Sequence, residues 1–156
     1  MPAEPVSRNH FVPAATPAEV YAVVVDFPSY PRLFPEFSSV QVLSRTPAVT
    51  GERVRVEFVV KVVIRARYVL DLVCDPAACT VDWTFVEGEV VTDSRGSWRF
   101  TPEGGGTRVD YSAALAVNAP LPGFVLRKVT DAILSASLPS MFAAITREVA
   151  ARQRAR

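Results

Sequence analysis

The sequence predicts an α+β protein in which a curved antiparallel sheet wraps around a long C-terminal helix, with two short helices near the N-terminus. A helix-start signal lies within residues 15–35, and segments that alternate apolar and polar residues follow it. A long apolar segment, residues 124–152, has helical periodicity. A curved sheet crossed by one helix forms a cup, and such a cup favours binding of apolar small molecules over catalysis.

The N-terminal segment predicts one strand and two short helices. Residues 6–12 form the predicted strand. Thr16 can cap the first helix, Pro17 suits its first position, and Glu19 completes a capping box. Residues 28–34 form the second helix, which is short because prolines limit its length.

The middle of the chain predicts an antiparallel meander, because strands follow one another with short connections. The predicted strands are residues 40–44, 53–62, 65–74, 79–86, 97–101 and 107–117. Turn residues are absent between the second and third of these, so we expect an apolar turn at Val63 and Ile64, which is a candidate rim or partner contact. Asp71, Asp82 and Asp110 alternate with the apolar face and are expected to point to solvent.

The C-terminal helix carries two apolar stripes on nearly opposite sides. One stripe is Leu134, Leu138, Met141, Phe142, Ile145 and Val149, and the other is Val125, Val129, Ala132, Ile133 and Ala136. Pro139 lies near the switch between them, and an interior proline costs about 3 kcal/mol unless the helix bends or restarts. We therefore expect a bend at residues 137–140, or a first half that covers residues 30–37 as a lid. The second stripe either packs against the sheet and N-terminal helices or lines a cavity or assembly surface.

Length and composition indicate one domain, residues 1–156, able to bury roughly 70% of its unfolded surface. The apolar fraction is 49% and the mean hydropathy is +0.21, which is high for a small domain. Uninterrupted runs of about 18 apolar residues are absent, which predicts no transmembrane helix. The first eleven or so residues lack the pattern of a signal peptide, so we expect a cytoplasmic protein.

Charge and cysteine content exclude other classes. The net charge is +1 without long charged blocks, which argues against DNA binding. Arginines 147, 152, 154 and 156 suit a helix C-terminus, and contact with acidic lipid or RNA is the alternative. Cys74 and Cys79 flank a turn signal that would place them opposite each other as reduced thiols. The single histidine, His10, and the cysteine spacing predict no metal site, and no cofactor is expected.

Two stretches resemble a known family. The motif D-x-x-x-Y-P-x-x-x-P, here Asp26, Tyr30, Pro31 and Pro35, lies in VVVDFPSYPRLFPEFSSVQVLSR, and GSWRFTPEGGGTRVDYSAALAV resembles paired closing strands. Together they are similar to the coenzyme-Q-binding, polyketide cyclase/dehydrase-like family of the START-like, Bet v 1-like (SRPBCC) superfamily. The resemblance covers nearly the whole chain and implies a helix-grip fold with an apolar cavity. Quinone-binding and ribosome-associating members tend to have a tryptophan after the last proline, where this chain has Glu36 and Phe37.

The predicted inward positions are almost all apolar, so we assign no catalytic residue. Tyr68 and Tyr111 are the polar exceptions and could orient a polar head group. His10 lacks a Ser, Cys or Asp partner in the sequence, and Glu87, Glu89 and Asp93 predict a solvated loop. The predicted ligand-binding residues are Tyr30, Phe34, Phe37, Phe58, Tyr68, Leu70, Trp83, Phe85, Trp98, Phe100, Tyr111, Phe124, Ile133 and Met141.

These observations favour a monomeric or weakly dimeric carrier or sensor of a quinone, isoprenoid, polyketide or acyl lipid. A polyketide aromatase/cyclase that uses a Tyr or Arg as proton donor is the enzymatic alternative. A ribosome-associating factor, or a protein that contacts a membrane peripherally, is the third reading.

Overall fold

The computed structural model describes residues 5–61 and 63–156. The strands are β1 Val6–Pro13, β2 Phe37–Pro47, β3 Glu52–Lys61, β4 Arg65–Asp75, β5 Thr80–Glu89, β6 Val91–Glu103 and β7 Gly106–Val117. The helices are α1 Pro17–Val24, a 3-10 turn at Phe27–Ser29, α2 Tyr30–Leu33, α3 Gly123–Asp131, a π-helical turn at Ala132–Ala136, and α4 Leu138–Arg154.

The strands form one open seven-stranded antiparallel sheet in the order β1-β7-β6-β5-β4-β3-β2. Strand β1 pairs with β7, so Ser7 lies opposite Ser112, which is 105 residues later in the chain. Bulges interrupt the ladders in β2, between β4 and β5, and in β6, and bulges bend and twist the strands that contain them. The concave face of the sheet carries the apolar side chains and the C-terminal helix crosses it, which confirms the predicted helix-grip fold.

The strands extend beyond their predicted ends, most of all β2 and β6. The predicted loop around Gly88 is wrong, because Glu87 and Glu89 lie in β5 and Asp93 lies in β6, with Val90 between the strands. Polar residues and glycine are poor strand formers in isolation, but ladder hydrogen bonds to β7 hold the start of β6 extended. Tertiary pairing therefore overrides local propensity here.

The connection between β3 and β4 turns at Val63 and Ile64, as predicted, and the Val63 side chain is exposed. Val62, which the sequence placed in the predicted strand 53–62, lies outside the described residues. Cys74 pairs with Val81 in the sheet and Cys79 occupies the following turn, so the two cysteines are not opposite each other; both are free thiols.

Helix α1 begins at the predicted capping box. The Glu19 amide donates to Thr16 Oγ1 over 3.2 Å, and the Thr16 amide donates to Glu19 Oε1 over 2.9 Å. This backbone hydrogen bond, together with Arg156, lowers the pKa of Glu19 to about 2. Pro17 occupies the first turn, where its missing N–H costs nothing. The cap fixes the start of α1, which packs against α4.

The C-terminal helix is interrupted by the π-helical turn at Ala132–Ala136, one turn before the proline. Pro139 belongs to the first turn of α4, where proline is tolerated. The Ser137 hydroxyl donates to the Ala132 carbonyl over 3.2 Å, and the Tyr111 hydroxyl of β7 donates to the Leu134 carbonyl over 3.4 Å. The interruption therefore spans Ala132–Ala136 and the turn residue Ser137, so it overlaps the predicted residues 137–140 at Ser137 alone, and hydrogen bonds from the helix and the sheet hold it.

The segment Gly123–Arg154 is long and apolar enough, by length and composition, to span a membrane. The core helix of a folded domain meets the same criteria. Of its first predicted stripe, Leu134, Leu138, Phe142, Ile145 and Val149 are buried in the hydrophobic core, and Met141 is partly buried against that core. The second stripe is mixed, because Val129 is buried whereas Ala136 is exposed.

Candidate ligand cavity

A cavity of about 90 Å³ lies between the concave face of the sheet and the C-terminal helix. Its walls come from α2, the strands β2 to β7, the π-helical turn and α4. The lining residues are Tyr30, Phe37, Phe58, Tyr68, Leu70, Leu72, Trp83, Trp98, Tyr111, Ile133, Leu138 and Met141. The composition, apolar with a few hydroxyls, is that of a site for an apolar ligand.

Most of the predicted ligand-binding residues converge on this cavity, but four do not. Phe34 and Phe100 are fully buried in the core, and Phe85 is partly buried beside it. Phe124, in the first turn of α3, is 59% exposed and lies outside the cavity, because the helix turns that side chain to solvent.

Leu72 and Leu138 line the cavity but were not among the predicted site residues. Both carried a usable signal, since Leu72 alternates in step with Tyr68 and Leu70 and Leu138 lies in the buried helix stripe.

Aromatic rings form two groups at the cavity wall. Phe58 stacks on Tyr68 with ring centroids 5.4 Å apart, and both belong to the part of the wall built by α2, β2, β3 and β4. Trp98 meets Tyr111 edge to face at 4.9 Å, and Trp83 lies 5.9 Å from the same ring. Such aromatic pairs contribute roughly 0.5–1.5 kcal/mol each beyond their buried area, so they stabilise the sheet side of the wall.

Trp83 reaches its position because Gly96 faces it across the β5–β6 ladder. A Cβ atom at residue 96 would lie 2.3 Å from Trp83 Cζ2 and 2.4 Å from the Ser112 carbonyl oxygen. The indole Nε1 donates to the buried Ser94 hydroxyl over 3.2 Å, so the ring's polar atom is also satisfied. The glycine and the serine together fix one wall of the cavity.

The cavity tyrosines differ in their hydroxyl partners. The Tyr30 hydroxyl donates to the Val24 carbonyl over 2.6 Å, and Tyr111 donates to Leu134 in the π-helical turn. The Tyr68 hydroxyl has no hydrogen-bond partner among the described residues. Burial raises the pKa of all three phenols well above the usual value. They are therefore neutral hydrogen-bond donors and acceptors rather than bases.

The D-x-x-x-Y-P motif contributes Tyr30 to the wall of the cavity. Asp26 Oδ2 accepts a hydrogen bond of 2.7 Å from the Ser29 hydroxyl at the start of the short helical segment. That segment carries Tyr30 inward, where it contacts Phe34 edge to face at 4.9 Å and Phe37 at 5.3 Å. The motif therefore acts on the shape of the cavity through Tyr30.

Charged strand residues lie on the convex face, as their alternation predicted. Arg55 holds Asp71 through two hydrogen bonds of 2.8 and 3.0 Å, and Arg99 pairs with Asp82 at 2.8 Å. Asp110 pairs with Arg108 at 3.0 Å. In the part of the chain that the structure describes, no group of three His, Cys, Asp or Glu residues could hold a metal ion.

His10 belongs to a contact that the sequence did not reveal. Its ring stacks on Phe142 with centroids 5.0 Å apart, and Nε2 lies 2.8 Å from Thr146 Oγ1. Because the Thr146 hydroxyl donates to the Phe142 carbonyl, His10 Nε2 is the donor in this pair. Burial lowers the pKa of His10. The residue joins the edge strand β1 to α4 and has no place in the cavity.

The cavity volume limits what fits without rearrangement. Sites for small-molecule ligands usually measure about 300–1,000 Å³, so this cavity accepts only a small group as it stands. A larger depression of about 550 Å³ beside residues 104–106 lies on the surface among turn residues, away from the concave face. On the helix side the cavity is bounded by Ile133, Leu138 and Met141, and methionine readily adopts other rotamers. Entry of a larger ligand would require the cavity walls to move.

The chain matches the profile of the family described as "Polyketide cyclase / dehydrase and lipid transport" over residues 13–142. The protein therefore belongs to this family, whose START-like, helix-grip fold binds hydrophobic small molecules. Among proteins of curated function, none matches the sequence significantly.

Solved structures share the fold. A protein from Thermus thermophilus, TTHA0849, has a TM-score of 0.82 and 25% identity, with 96% of this chain and 99% of that chain covered. The Zhui aromatase/cyclase from Streptomyces sp. R1128 has a TM-score of 0.80 and 19% identity, with coverage of 98% and 96%. A START superfamily protein from Mycobacterium smegmatis has a TM-score of 0.73 and 20% identity, with coverage of 94% and 97%.

Proposed function

We propose that this protein binds an apolar small molecule, of the quinone, isoprenoid, polyketide or acyl-lipid type, in the cavity and carries or senses it. The observation that supports this most directly is the composition of the cavity, whose lining is aromatic and aliphatic apart from the tyrosine hydroxyls. Burial of the ligand would supply roughly 25 cal/mol per Å² of apolar area before the costs of association.

The small volume of the cavity is consistent with a carrier that opens to admit its ligand and then closes around it. The π-helical turn at Ala132–Ala136 places Ile133 at the cavity, and π-helical turns recur where helices deform for function. The opposite wall is held by the paired strands and by stacked aromatic rings. We therefore assign the opening movement to the helix side and the shape of the site to the sheet.

Titration with an apolar fluorophore, and native mass spectrometry with extraction of bound lipid, test this proposal. We expect saturable binding at one site. Ile133→Trp should fill the cavity and abolish binding, whereas Val49→Trp, which adds the same side chain at a fully exposed position, should leave binding unchanged. A folded wild-type protein without saturable binding, or equal binding by both variants, would contradict the proposal.

A polyketide aromatase/cyclase is the second candidate. The family description and the likeness to the Zhui aromatase/cyclase favour it. In that case the cavity would fold a poly-ketone chain, and a neutral tyrosine such as Tyr68 would donate a proton. Addition of the protein to a ketosynthase reaction should then change the cyclised products seen by mass spectrometry, and Tyr68→Phe should reverse the change. If the protein leaves the product distribution unchanged, it does not cyclise the poly-ketone substrate that was tested.

The C-terminal arginines suggested contact with ribosomes or membranes, but two of them are paired within the chain. Arg152 pairs with Asp26 and Glu148, and Arg156 pairs with Glu19, so both are engaged within the chain. We propose a cytoplasmic protein, in keeping with its free cysteines. Co-sedimentation with ribosomal subunits or anionic vesicles at physiological salt would revive the alternative.

A further inference from the structure

A second space, which we call the outer pocket, lies beside α1 where β3 begins and β4 ends. It has a volume of about 340 Å³, and the buried side chains of Phe27, Val54 and Cys74 form part of its wall. Tyr21 of α1 and Val25, which directly follows that helix, are partly buried and line it as well. The binding function proposed above does not yet use this space.

The mouth of the outer pocket is polar. Arg45 and Glu52 line it and form an ion pair of 2.7 Å between β2 and β3, with both side chains nearly half exposed. Gly51 and Pro76, which lie in the turns after β2 and β4, also line the pocket and are exposed. The outer pocket therefore connects an apolar wall to solvent.

The outer pocket and the cavity are neighbours along the concave face of the sheet. Val54 lines the outer pocket and pairs directly with Leu72 of β4, which lines the cavity. Directly paired residues of antiparallel strands have Cβ atoms about 4.5–5.5 Å apart. Cys74 follows Leu72 on the same face of β4 and lines the outer pocket. One continuous row of strand residues therefore lines both spaces.

Phe27 lies between the two spaces. Its buried side chain lines the outer pocket, and its ring meets Phe58 edge to face at 6.4 Å and lies 5.6 Å from Tyr30. Both of those partners line the cavity. Phe27 belongs to the 3-10 turn at Phe27–Ser29, so it is carried by the helical segments and not by the sheet. Displacement of its ring would join the two spaces.

We propose that the outer pocket is a second compartment of the ligand site and that the ligand is an elongated molecule with a linear apolar chain and a polar end group. This inference rests on the proposed binding function and narrows the class of ligand. The chain lies in the cavity, passes Phe27 and continues through the outer pocket. The polar end group lies at the mouth, beside Arg45 and Glu52.

The volumes support two compartments. The cavity of about 90 Å³ is smaller than the usual ligand site of about 300–1,000 Å³, and the outer pocket supplies the missing space. A linear chain has a narrow cross-section, so it needs only a small displacement of the Phe27 ring. That displacement would accompany the opening movement that we assign to the helix side.

Straight-chain primary alcohols from butanol to decanol, titrated into the folded protein by heteronuclear NMR, test the second compartment. Each added methylene should raise the affinity about fourfold as long as it finds apolar space. In the wild type we expect this gain to continue to decanol, whereas the cavity alone would end it near hexanol. Decanol, and not butanol, should also shift the amide signals of Val54 and Cys74.

Two variants and one control separate the two compartments. Val25→Trp should fill the outer pocket, so the gain in affinity should end with the short alcohols while butanol binds as in the wild type. Val63→Trp adds the same side chain at an exposed position in the turn at the other end of β3 and should behave as wild type. Phe27→Leu should strengthen decanol binding severalfold with little change for butanol, which keeps the test decisive if Val25→Trp is unstable.

A gain that ends with the short alcohols in the wild type, or the same series of affinities in the wild type and Val25→Trp, would overturn the second compartment while leaving binding in the cavity intact. Decanol binding that leaves the signals of Val54 and Cys74 unchanged would overturn it as well. If none of the alcohols binds to the folded wild-type protein, the proposed binding function itself fails, and the second compartment fails with it.

Discussion

Arg152 of α4 forms an ion pair with Asp26, the first residue of the D-x-x-x-Y-P motif, with Nη2 2.6 Å from Oδ2 although 126 residues separate them. The same guanidinium holds Glu148 through a bond of 2.9 Å, and Glu148 also accepts from Arg32 of α2. These hydrogen bonds lower the pKa of Glu148 to about 2. The network joins both N-terminal helical segments to the C-terminal helix.

Asp26→Asn should lower the free energy of unfolding by about 1 kcal/mol, because the ion pair is partly shielded and belongs to a network. Asp82→Asn removes a more exposed pair with Arg99 and should cost less, about 0–0.5 kcal/mol. Urea denaturation of both variants measures the difference. Equal losses would mean that the motif aspartate has no special role in stability.

His10 should make stability depend on pH. Its pKa is lowered by burial in the folded state and returns to about 6.5 on unfolding, so below that value the unfolded chain binds more protons. Stability should therefore fall as the pH drops from 6.5 through the lowered folded pKa and level off below it. The difference between wild type and His10→Gln in denaturation at pH 7.5 and 5 isolates this effect. A difference that does not change with pH would contradict the prediction.

Trp98→Ala should destabilise the protein by about 3 kcal/mol and weaken ligand binding, because Trp98 contacts Phe100, Tyr111 and Phe142 and also lines the cavity. Phe100→Ala is the matched control. Phe100 is equally buried but lies outside the cavity, so its loss should lower stability by a similar amount and leave affinity nearly unchanged. If Phe100→Ala weakens binding as strongly, the boundary assigned to the cavity is wrong.

Pro139→Ala should change stability by less than about 1 kcal/mol and leave the helix break in place, because Pro139 lies in a first turn where proline is tolerated. Tyr111→Phe removes the hydrogen bond to Leu134 in the π-helical turn and should cost about 1 kcal/mol. Hydrogen exchange across residues 132–137 should rise in Tyr111→Phe and remain close to wild type in Pro139→Ala. If hydrogen exchange rose in Pro139→Ala and not in Tyr111→Phe, the proline would be the cause of the helix break.

The features that could be predicted from the sequence are those that depend on local chemistry. The capping box at Thr16 was predicted correctly because it depends on residues close together in the sequence. The alternation through β3 and β4 was predicted correctly because one side of each strand is buried and the pattern is repeated. The start of β6 and the position of the helix break depend on partners distant in the chain, namely β7 and Tyr111. The stacking of Phe58 on Tyr68 depends on the pairing of β3 with β4, which periodicity does not encode.

The pairing of β1 with β7 constrains the order in which this chain can fold. During synthesis the first strand emerges long before the residues of Gly106–Val117 that will pair with it, and its backbone groups stay without ladder partners until then. Closure of such a distant contact must follow, rather than initiate, formation of the sequential hairpins, and chains rich in such contacts fold in milliseconds to seconds. We therefore expect β1 to dock late, as the step that completes the sheet. Pulsed hydrogen exchange during refolding would refute this if β1 amides became protected before those of β3 and β4.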